Sequence, residues 1–437
     1  MVLPEHILYC IEKLKSAGFE AWAVGGCVRD AYLGRVPHDF DLCTCALPEE
    51  TEAVFAGHPL VLEGKQHGTV CVVTEAETVE ITTFRAEGPY SDNRHPDWVR
   101  FVTDLEMDLV RRDYTMNAMA WSPDKGYSDP FGGREDLGKG LLRAVGDPWQ
   151  RYREDSLRIL RGIRFAVRYG LELETETEKA MFALAPLLHN LAAERIFEEL
   201  NRILPLLRVE DMLRFAPVLT EVIPELKTMV AFDQHSPHHA YDLYTHVAHV
   251  VEKMPEDLPL RWAALLHDVG KVPTFTQDAN GRGHYYGHGE VGAVMAGEIL
   301  NRFRAPTALR MRVVTLVENH MIRLVPDRVS LKRSLNGLGW EVVGQCLTLQ
   351  EADMASKGLH NPDELERYAR VRAILNRLRE ENACVSIRDL AVTGRDLQTL
   401  GYTGKAVGEK MKYLLELVLA DQVDNTTEAL LACLQPE

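Results

Sequence analysis

Residues 21–43 read AWAVGGCVRDAYLGRVPHDFDLC, and this stretch organises the N-terminal part of the chain. It opens with an uninterrupted apolar run that ends in glycine, which predicts a short buried strand. Gly25 and Gly26 then allow the backbone to turn tightly and to approach a ligand closely. The residues after them predict the first turns of a helix, where free N–H groups and the Arg29 side chain suit phosphate oxygens.

Two carboxylates, Asp39 and Asp41, follow with one residue between them. On a strand, positions i and i+2 face the same side, so both side chains can hold one or two Mg²⁺ ions. Taken alone, a Gly-Gly pair is most often a plain turn, and Asp-x-Asp is most often a solvated loop. Together and in this order, they indicate the transfer of a nucleotidyl group.

The combined motif resembles the nucleotidyltransferase head of the class II tRNA CCA-adding enzyme and bacterial poly(A) polymerase family. The matching residues are Gly25-Gly26-x-Val28-Arg29-Asp30 and Asp39-x-Asp41. The resemblance implies an enzyme, a CCA tRNA nucleotidyltransferase, that adds CCA to the 3′ end of tRNA from CTP and ATP without a template. In it, the two acids would hold Mg²⁺, and Gly26 and Arg29 would help to position the triphosphate.

Composition narrows the remaining possibilities. With 437 residues, of which 46% are hydrophobic, the chain can build several domains. It has no long uncharged apolar run and no recognisable signal peptide, so we expect no membrane partner. Eight cysteines without a CxxC pair fit a reducing, cytoplasmic location. A net charge of −16 argues against indiscriminate binding of nucleic acid, DNA included, so an RNA partner would need a local basic track.

A third carboxylate and a loop follow the motif. Segments 70–74 and 78–84 predict neighbouring antiparallel strands, and Glu80, near the start of the second, is a candidate third metal ligand. An exposed strand residue is the equal alternative. Segment 85–101 (RAEGPYSDNRHPDWVRF) is rich in Gly, Pro, Asp and Arg, which predicts a mobile loop. Similar loops in the resembling family lie over the active site and help the switch from C addition to A addition.

Residues 108–119 (DLVRRDYTMNAM) match the family's RRDxTxNA element. The resemblance implies that Arg112 contacts the triphosphate and that Asn117 lies nearby. The alternative is a charged helix start capped by Asp113.

Residues 151–170 (RYREDSLRILRGIRFAVRYG) are the local basic track, with six Arg against one Glu and one Asp. Exposed helices usually mix signs, and this one is strongly biased. The charged residues that recur every three to four positions, and so share much of one helix face, are Asp155, Arg158, Arg161, Arg164 and Arg168.

Asp155 accepts hydrogen bonds and Arg158 donates them from a rigid fork one turn away, so the pair can read the Watson–Crick edge of a base. In the resembling family, the matching EDxxR residues select CTP and then ATP. The resemblance implies this role for Asp155 and Arg158, and phosphate or base contact for Arg161 and Arg164.

Histidines and acids on predicted helices form a second constellation. The string LLHDVGK at 265–271 places adjacent His267 and Asp268 at the end of an apolar helix. Adjacent helical side chains diverge by about 100°, so both can reach one metal only at a helix end or distortion.

The order of these residues resembles the HD phosphohydrolase family. Nitrogen and oxygen ligands suit a divalent metal such as Mn²⁺, Fe²⁺, Co²⁺ or Ni²⁺, with Mg²⁺ alone as an alternative. The implied activity is a phosphomonoesterase or cyclic phosphodiesterase, or a retained metal site without turnover. The implied metal set is His246, His267, Asp268 and Asp353, with His288 and His320 as ligands of a second metal or as phosphate contacts.

The last segment contains LGYTGKAVGEK at 400–410. Its LGxxGxxxG spacing lets amides at a helix N-terminus approach a phosphate backbone, and a plain turn between helices is the equal alternative. A matching segment lies in the tRNA-gripping tail of the resembling family.

The predicted fold is α+β, a nucleotidyltransferase head with a small mixed β-sheet and helices followed by all-α domains. The predicted domains are 1–148 (head), 149–230 (helical neck that binds the base and RNA), 231–360 (HD domain) and 361–437 (helical tRNA-binding tail).

Three other functions stay open beside CCA addition. The first is a poly(A) polymerase or an A-only tRNA nucleotidyltransferase, which would share nearly every residue named above. The second is a protein that is principally an HD phosphohydrolase. The third is a noncatalytic tRNA-binding protein, against which the paired carboxylates speak.

Overall fold

The computed structural model describes residues 1–88, 97–236, 240–358 and 361–434. The chain forms two compact units. The first comprises residues 1–206 and 214–224, and the second comprises residues 207–213 and 225–437. In the described ranges, no helix is both long enough and apolar enough to cross a lipid bilayer.

Eleven strands lie in the described part of the first unit. They are β1 (Ala21–Val24), β2 (Asp41–Thr44), β3 (Leu60–Val61), β4 (Thr69–Val73), β5 (Thr78–Thr83), β6 (Arg85–Glu87), β7 (Val99–Phe101), β8 (Ala120–Ser122), β9 (Gly126–Ser128), β10 (Leu141–Leu142) and β11 (Glu172–Leu173). Seven of them form one mixed sheet in the order β3-β4-β5-β2-β1-β8-β9, in which only β2 and β5 are parallel neighbours. The predicted antiparallel pair of strands is confirmed as β4 and β5.

The register of this sheet brings the glycine turn and the acids together. In the pairing of β1 with β2, Val24 lies opposite Asp41. In the pairing of β2 with β5, Asp41 lies opposite Glu80. Because Gly25 directly follows Val24, the turn begins beside the two carboxylates. All four residues of β1 are buried, which is why its sequence is an unbroken apolar run.

Strands β6 and β7 pair as an antiparallel hairpin at the two ends of the predicted loop 85–101. Residues 89–96, which include Tyr90, lie outside the described part of the chain. The described ends of this segment are therefore strands that were predicted as loop.

Short helices surround the sheet, and longer ones follow it. The helices within residues 1–224 are α1 (Glu5–Ser16), α2 (Gly26–Tyr32), α3 (Pro48–Val54), α4 (Leu105–Leu109), α5 (Gly133–Gly138), α6 (Pro148–Glu154), α7 (Leu157–Tyr169), α8 (Thr175–Leu184), α9 (Ala193–Ile203), α10 (Val209–Arg214) and α11 (Ala216–Val222). Residues from β1, β2, β8 and α4 share one apolar cluster, so α4 packs against the sheet.

The predicted basic helix 151–170 is two helices, α6 and α7. The chain leaves helical geometry at Asp155, where φ is −136° and ψ is 101°. Helix α7 then runs to Gly170, which adopts φ 65° and ends it with a left-handed cap. Asp155 therefore lies at a junction between helices, and not on the same helix face as the arginines.

The second unit, as far as its residues are described, has helices and one short hairpin of β12 (Thr276–Gln277) and β13 (Gly283–His284). From residue 224 onwards, the helices are α12 (Pro224–Lys227), α13 (Leu243–Glu252), α14 (Leu258–Leu266), α15 (His288–Arg302), α16 (Thr307–Asn319), α17 (Arg328–Ala355), α18 (Pro362–Glu380), α19 (Gly394–Thr399), α20 (Lys405–Leu419) and α21 (Thr427–Ala432). Helix α17 kinks at Gly339, where φ is 79°.

The predicted fold class is confirmed, because a small mixed sheet is followed by helical segments. The boundaries of the four predicted domains stay a prediction.

Candidate functional site

Three carboxylates gather at the edge of the glycine turn in the first unit. Asp41 is the first residue of β2 and lies opposite Glu80 in the sheet. Asp39 is in the loop before β2, not on the strand as predicted. All three are open to solvent. Many protein atoms nevertheless surround Asp41, and this partial burial and the charges of Glu80 and Asp39 raise its pKa, while Arg112 opposes them.

This cluster of like charges fits a divalent cation. Oxygen ligands are what Mg²⁺ prefers, and a positive ion beside Asp41 would offset the charges that raise the pKa of this carboxyl. The three acids are therefore neighbours, although their oxygens do not form a set within 4.8 Å of one another, as the ligand atoms of the two His and Asp triads in the second unit do.

The glycine turn is shaped for the Arg112 side chain. Gly25 adopts φ 75°, which a side chain would strain. A Cβ at this position would lie 2.9 Å from Arg112 Nη1. The Arg112 Nε atom is buried and has no hydrogen-bond partner among the described residues. Gly25 thus leaves room for the Arg112 side chain, 20% of which is exposed to solvent.

A relay of hydrogen bonds connects the turn to helix α7. Arg29 Nη1 donates to Asn117 Oδ1 at 2.6 Å, and Arg29 Nε donates to Asp30 Oδ1 at 2.9 Å. Asn117 Nδ2 donates to Asp113 Oδ1 at 2.9 Å. Arg161 reaches the other oxygen of Asp113 with Nε and Nη2, at 2.8 and 2.6 Å. The sequence motifs 25–30, 112–117 and 158–161 are therefore parts of one network.

The predicted base-reading pair is held from both sides. Arg158 Nη1 donates to Glu154 Oε2 at 3.0 Å, and Arg158 Nη2 donates to the carbonyl of Arg111 at 2.9 Å. Asp155 Oδ2 accepts from Arg195 Nη2 at 3.3 Å. Arg111, which binds Arg158 through its carbonyl, directly precedes Arg112 in the chain. Arg112 is the residue whose positive charge lowers the pKa of Asp41. Two consecutive residues, Arg111 and Arg112, therefore connect the Asp155–Arg158 pair (the reader) with the acids.

The arginines of α7 do not form the exposed, single-signed track that the sequence predicts. Arg161 pairs with Asp113, and Arg164 pairs with the buried carboxylate of Glu199 on α9. Arg168 alone among the three is exposed. The balancing charges come from other elements, which a reading of 151–170 by itself does not include.

The six predicted HD residues come together in the second unit. His246 lies on α13, His288 begins α15, and Asp353 lies on α17. His267 and His320 are the C-caps of α14 and α16, and Asp268 follows His267. Adjacent His267 and Asp268 can both point inward because the helix ends there, as the sequence predicts.

Asp268 is the centre of this cluster. His267 Nε2 and His246 Nε2 lie 3.2 and 3.6 Å from Asp268 Oδ2. On the other oxygen, His288 Nε2 and His320 Nε2 lie 3.6 and 3.8 Å from Oδ1. The cluster thus contains two ligand triads, both of which use Asp268.

Asp353 completes the set beside His246, whose Nε2 lies 3.0 Å from Asp353 Oδ1. Lys357, one helical turn further along, lies 3.2 Å from the other oxygen of Asp353.

The outer nitrogens of the four histidines orient the inner ones. Each Nδ1 lies within hydrogen-bond distance of a backbone carbonyl, which can only accept: His246 with Ser356, His267 with Ala264, His288 with Tyr285 and His320 with Val317. The Nε2 lone pairs therefore face the interior of the cluster, which is the tautomer that binds a metal. This donor set fits one or two divalent transition metals.

Lys271 also belongs to this cluster, although the family resemblance implies no role for it. Its Nζ lies 2.7 Å from Asp268 Oδ2 and donates to Gln234 Oε1 at 3.1 Å. Burial opposes ionisation of Asp268, but His267 and Lys271 hold the pKa of this carboxyl well below its usual range. The signal was in the string LLHDVGK, where Lys271 stands one helical turn after Asp268.

Three family sequence models match separate parts of the chain. The Poly A polymerase head domain matches residues 21–143, and the Probable RNA and SrmB- binding site of polymerase A matches residues 170–228. The HD domain matches residues 243–378. The first range contains the three acids, the glycine turn and Arg112, and the second contains helices that follow α7. The third contains the six His and Asp residues.

A relative with a similar length decides the family. The CCA-adding enzyme of Bacillus velezensis is 32% identical over 417 residues, which are 95% of this chain and 93% of the relative. The chain belongs to the CCA-adding enzyme family. A second member, from Leuconostoc mesenteroides, is 48% identical over 194 residues, so the matched part spans about half of that relative (48%).

A solved structure of a CCA-adding enzyme agrees with this assignment. The Bacillus stearothermophilus CCA-adding enzyme in complex with CTP has a TM-score of 0.69 and 28% sequence identity to this chain. The superposition covers 99% of this chain and 97% of that one. The resemblance read from the motifs of residues 21–43 and 108–119 is thus confirmed as membership of the CCA-adding enzyme family.

In this CCA-adding family member, the sequence did not predict the partners of Asp155 and Arg164. Arg195 and Glu199 lie on α9, 40 and 35 residues from the partners Asp155 and Arg164. No local spacing joins residues so far apart. Asp113 was considered only as a helix cap, whereas it is buried and bridges Asn117 and Arg161.

Proposed function

We propose that this chain adds C, C and A in turn to the 3′ end of tRNA, with CTP and ATP as donors and without a nucleic-acid template. One observation supports the proposal above the others. A continuous set of contacts links the acids, the Gly25–Arg112 turn and the Asp155–Arg158 pair. A triphosphate held by the turn would therefore present its base to the reader.

The roles follow from the chemistry of the side chains. Asp39, Asp41 and Glu80 would hold Mg²⁺, which when bound acidifies the 3′-hydroxyl and stabilises charge on the phosphoryl group and pyrophosphate. Arg112 and the Gly26 backbone would hold the triphosphate oxygens. Arg29 would act through Asn117, because its guanidinium is bonded to Asn117 and Asp30.

The reader would select the base by complementary donors and acceptors. Arg158 offers N–H donors in a fixed fork, and Asp155 offers carboxylate acceptors. Arg161 and Arg164 would support α7 through Asp113 and Glu199, in place of the phosphate or base contact that the resemblance implies.

The test uses tRNA that lacks its CCA end. The protein is incubated with this RNA and with CTP, ATP or both, and the products are resolved to single nucleotides. We expect two C residues with CTP alone and a complete CCA end with both. Incorporation of ATP without any use of CTP would remove the proposal and favour an A-only enzyme or a poly(A) polymerase. No incorporation of either nucleotide would favour a noncatalytic tRNA-binding protein.

We propose a metal-dependent phosphohydrolase as a second activity, located in the second unit. It is supported by the four histidines whose Nδ1 atoms bond backbone carbonyls and whose Nε2 atoms converge on Asp268. These residues would hold Mn²⁺, Fe²⁺, Co²⁺ or Ni²⁺, and the substrate would be a phosphomonoester or a cyclic phosphodiester.

The two activities can be separated with one variant in each unit. Asp41→Ala should end nucleotide incorporation and leave hydrolysis of a cyclic nucleotide and the content of transition metal unchanged. His267→Ala should do the reverse. If His267→Ala binds as much metal as the wild type, the second site is wrong. If His267→Ala also ends incorporation, the two sites are not independent.

We propose tRNA, CTP and ATP as partners in the cytoplasm. All eight cysteines are free thiols, which fits a reducing compartment. The tail offers a basic and aromatic surface for RNA, where Lys410 Nζ lies 5.6 Å from the ring centres of both Tyr402 and Tyr413. The glycine motif adjoins it, since Gly404, with φ 55°, precedes α20.

A further inference from the structure

The Asp108 carboxylate is a buried anion next to Arg112, the residue proposed to hold the triphosphate. Asp108 lies on α4, and only 1% of its surface is exposed. A buried carboxylate costs free energy unless it is paired and hydrogen-bonded. The groups that pair with the Asp108 carboxylate therefore indicate its role.

Asp108 joins three arginines. Its Oδ1 accepts from Arg111 Nε at 3.0 Å and from Arg111 Nη2 at 2.8 Å. The same oxygen accepts the backbone N–H of Arg85, the first residue of β6, at 3.2 Å. Its Oδ2 lies 3.5 Å from Arg112 Nη2. One carboxylate thus connects the start of the β6–β7 hairpin with both arginines of the RRD element.

Glu87 makes a second link in the same place. It accepts from Arg85 Nε at 2.9 Å and from Arg111 Nη1 at 3.2 Å. The hairpin and the RRD element are therefore tied together at two points.

Arg112 lies between this cluster and the glycine turn. Its Nη2 faces Asp108, and its Nη1 packs against Gly25. Its Nε is buried without a hydrogen-bond partner among the described residues. The side chain is thus oriented by Asp108 on one side and by Gly25 on the other, and 20% of it stays exposed to solvent.

We propose that Asp108 is a positioning residue for the nucleoside triphosphate, because it fixes the Arg112 guanidinium in the orientation that receives phosphate oxygens. The inference rests on the proposed function. Asp108 does not touch the nucleotide itself. Without the negative charge of Asp108, the Arg112 side chain can rotate away from Gly25. Part of the binding free energy of the triphosphate is then used to restore the orientation of Arg112, so the affinity for the triphosphate falls.

The experiment measures CMP addition to tRNA lacking CCA by Asp108→Asn, with CTP varied. A lost charge-assisted hydrogen bond predicts a KM for CTP that rises roughly 10-fold. We expect kcat to change less than about twofold, because the acids remain in place. The matched control is Asp104→Asn, which removes a negative charge from the N-cap of the same helix, bonded to the Glu106 N–H at 2.9 Å, and should leave KM unchanged.

A background variant distinguishes positioning from a general loss of structure. In Arg112→Ala, the added change Asp108→Asn should have little further effect on KM, because the residue that it positions is gone. If Asp108→Asn raises KM as much in that background, or not at all in the wild type, the proposal is overturned. Asp108→Glu keeps the charge and should restore most of the affinity, and its thermal melting curve shows whether the fold is intact.

Failure of the underlying function would look different. In that case the wild-type protein itself would add no CMP, and CTP would not protect it against thermal unfolding. Loss of the Asp108 effect with an active wild type refutes only the positioning role.

Discussion

Replacing Asp113 by Asn removes the charge at the centre of the relay between the glycine turn and α7. Burial by itself would raise the pKa of this carboxyl, but Arg161 and the hydrogen bond from Asn117 lower it from 3.8 to about 2. The folded-state pKa is below the unfolded value, so the stabilisation is present above about pH 4 and is lost as the pH falls towards 2. A difference of about two pKa units corresponds to about 2–3 kcal/mol at neutral pH.

We therefore expect Asp113→Asn to lower the free energy of unfolding of the first unit by about 2–3 kcal/mol at pH 7. The assay is urea unfolding followed by hydrogen exchange of peptides from α7, which reports on the first unit alone. At pH 3 the difference from wild type should shrink. The control is Asp124→Asn, whose partner Lys15 lies at 2.5 Å in an exposed pair that solvent screens, and little change is expected.

Two results would refute this reasoning. One is an Asp113→Asn protein as stable as the wild type at pH 7. The other is a loss of stability that stays the same down to pH 3, because that loss could not come from the charge. The double variant with Arg161→Gln should lose less than the sum of the single variants, since both remove the same interaction.

Three further outcomes are expected. With a chelator at pH 8, Asp41→Asn should melt above the wild type, because its raised pKa makes the ionised carboxylate costly to the fold, and differential scanning calorimetry should show the gap closing towards pH 4. Gly25→Ala should lower CMP addition at least roughly 10-fold through backbone strain and contact with Arg112, whereas Gly34→Ala, with φ 71° but no atom within 4 Å of its Cβ, should retain activity. Lys271→Ala should lower phosphohydrolase turnover and leave CMP addition unchanged, as two parallel assays would show.

Local sequence patterns predicted individual strands and helices, such as β1, but not every break between them. Residues 21–24 are buried because β1 lies between β2 and β8 in the sheet. A strand in this central position needs apolar side chains, and the sequence 21–24 shows them. The break at Asp155 was missed, because the residues around it continue the helical spacing of the arginines. The structure instead ends α6 at Asp155, whose Oδ1 accepts at 3.1 Å from the N–H of Leu157, the first residue of α7.

The candidate site was predictable to the extent that its residues lie in short motifs. The six His and Asp residues of the second unit were predicted because their order along the chain, with the string LLHDVGK, resembles the HD phosphohydrolase family. Partners such as Arg195 and Glu199 were not found, because only the tertiary fold brings α9 against α7. The exposed basic track was wrong for the same reason, since Asp113 and Glu199 neutralise it from a distance in sequence.

The measurement that tests the account most directly compares Asp41→Ala with Arg158→Lys in nucleotide addition to tRNA lacking CCA. The account predicts that Asp41→Ala transfers no nucleotide of any kind. It predicts that Arg158→Lys, which keeps the charge and loses the planar fork, still transfers nucleotides but loses its preference for CTP over UTP. An Arg158→Lys protein with unchanged preference, or an Asp41→Ala protein that still adds CMP, would contradict the claim that the acids and the reader act on one nucleotide.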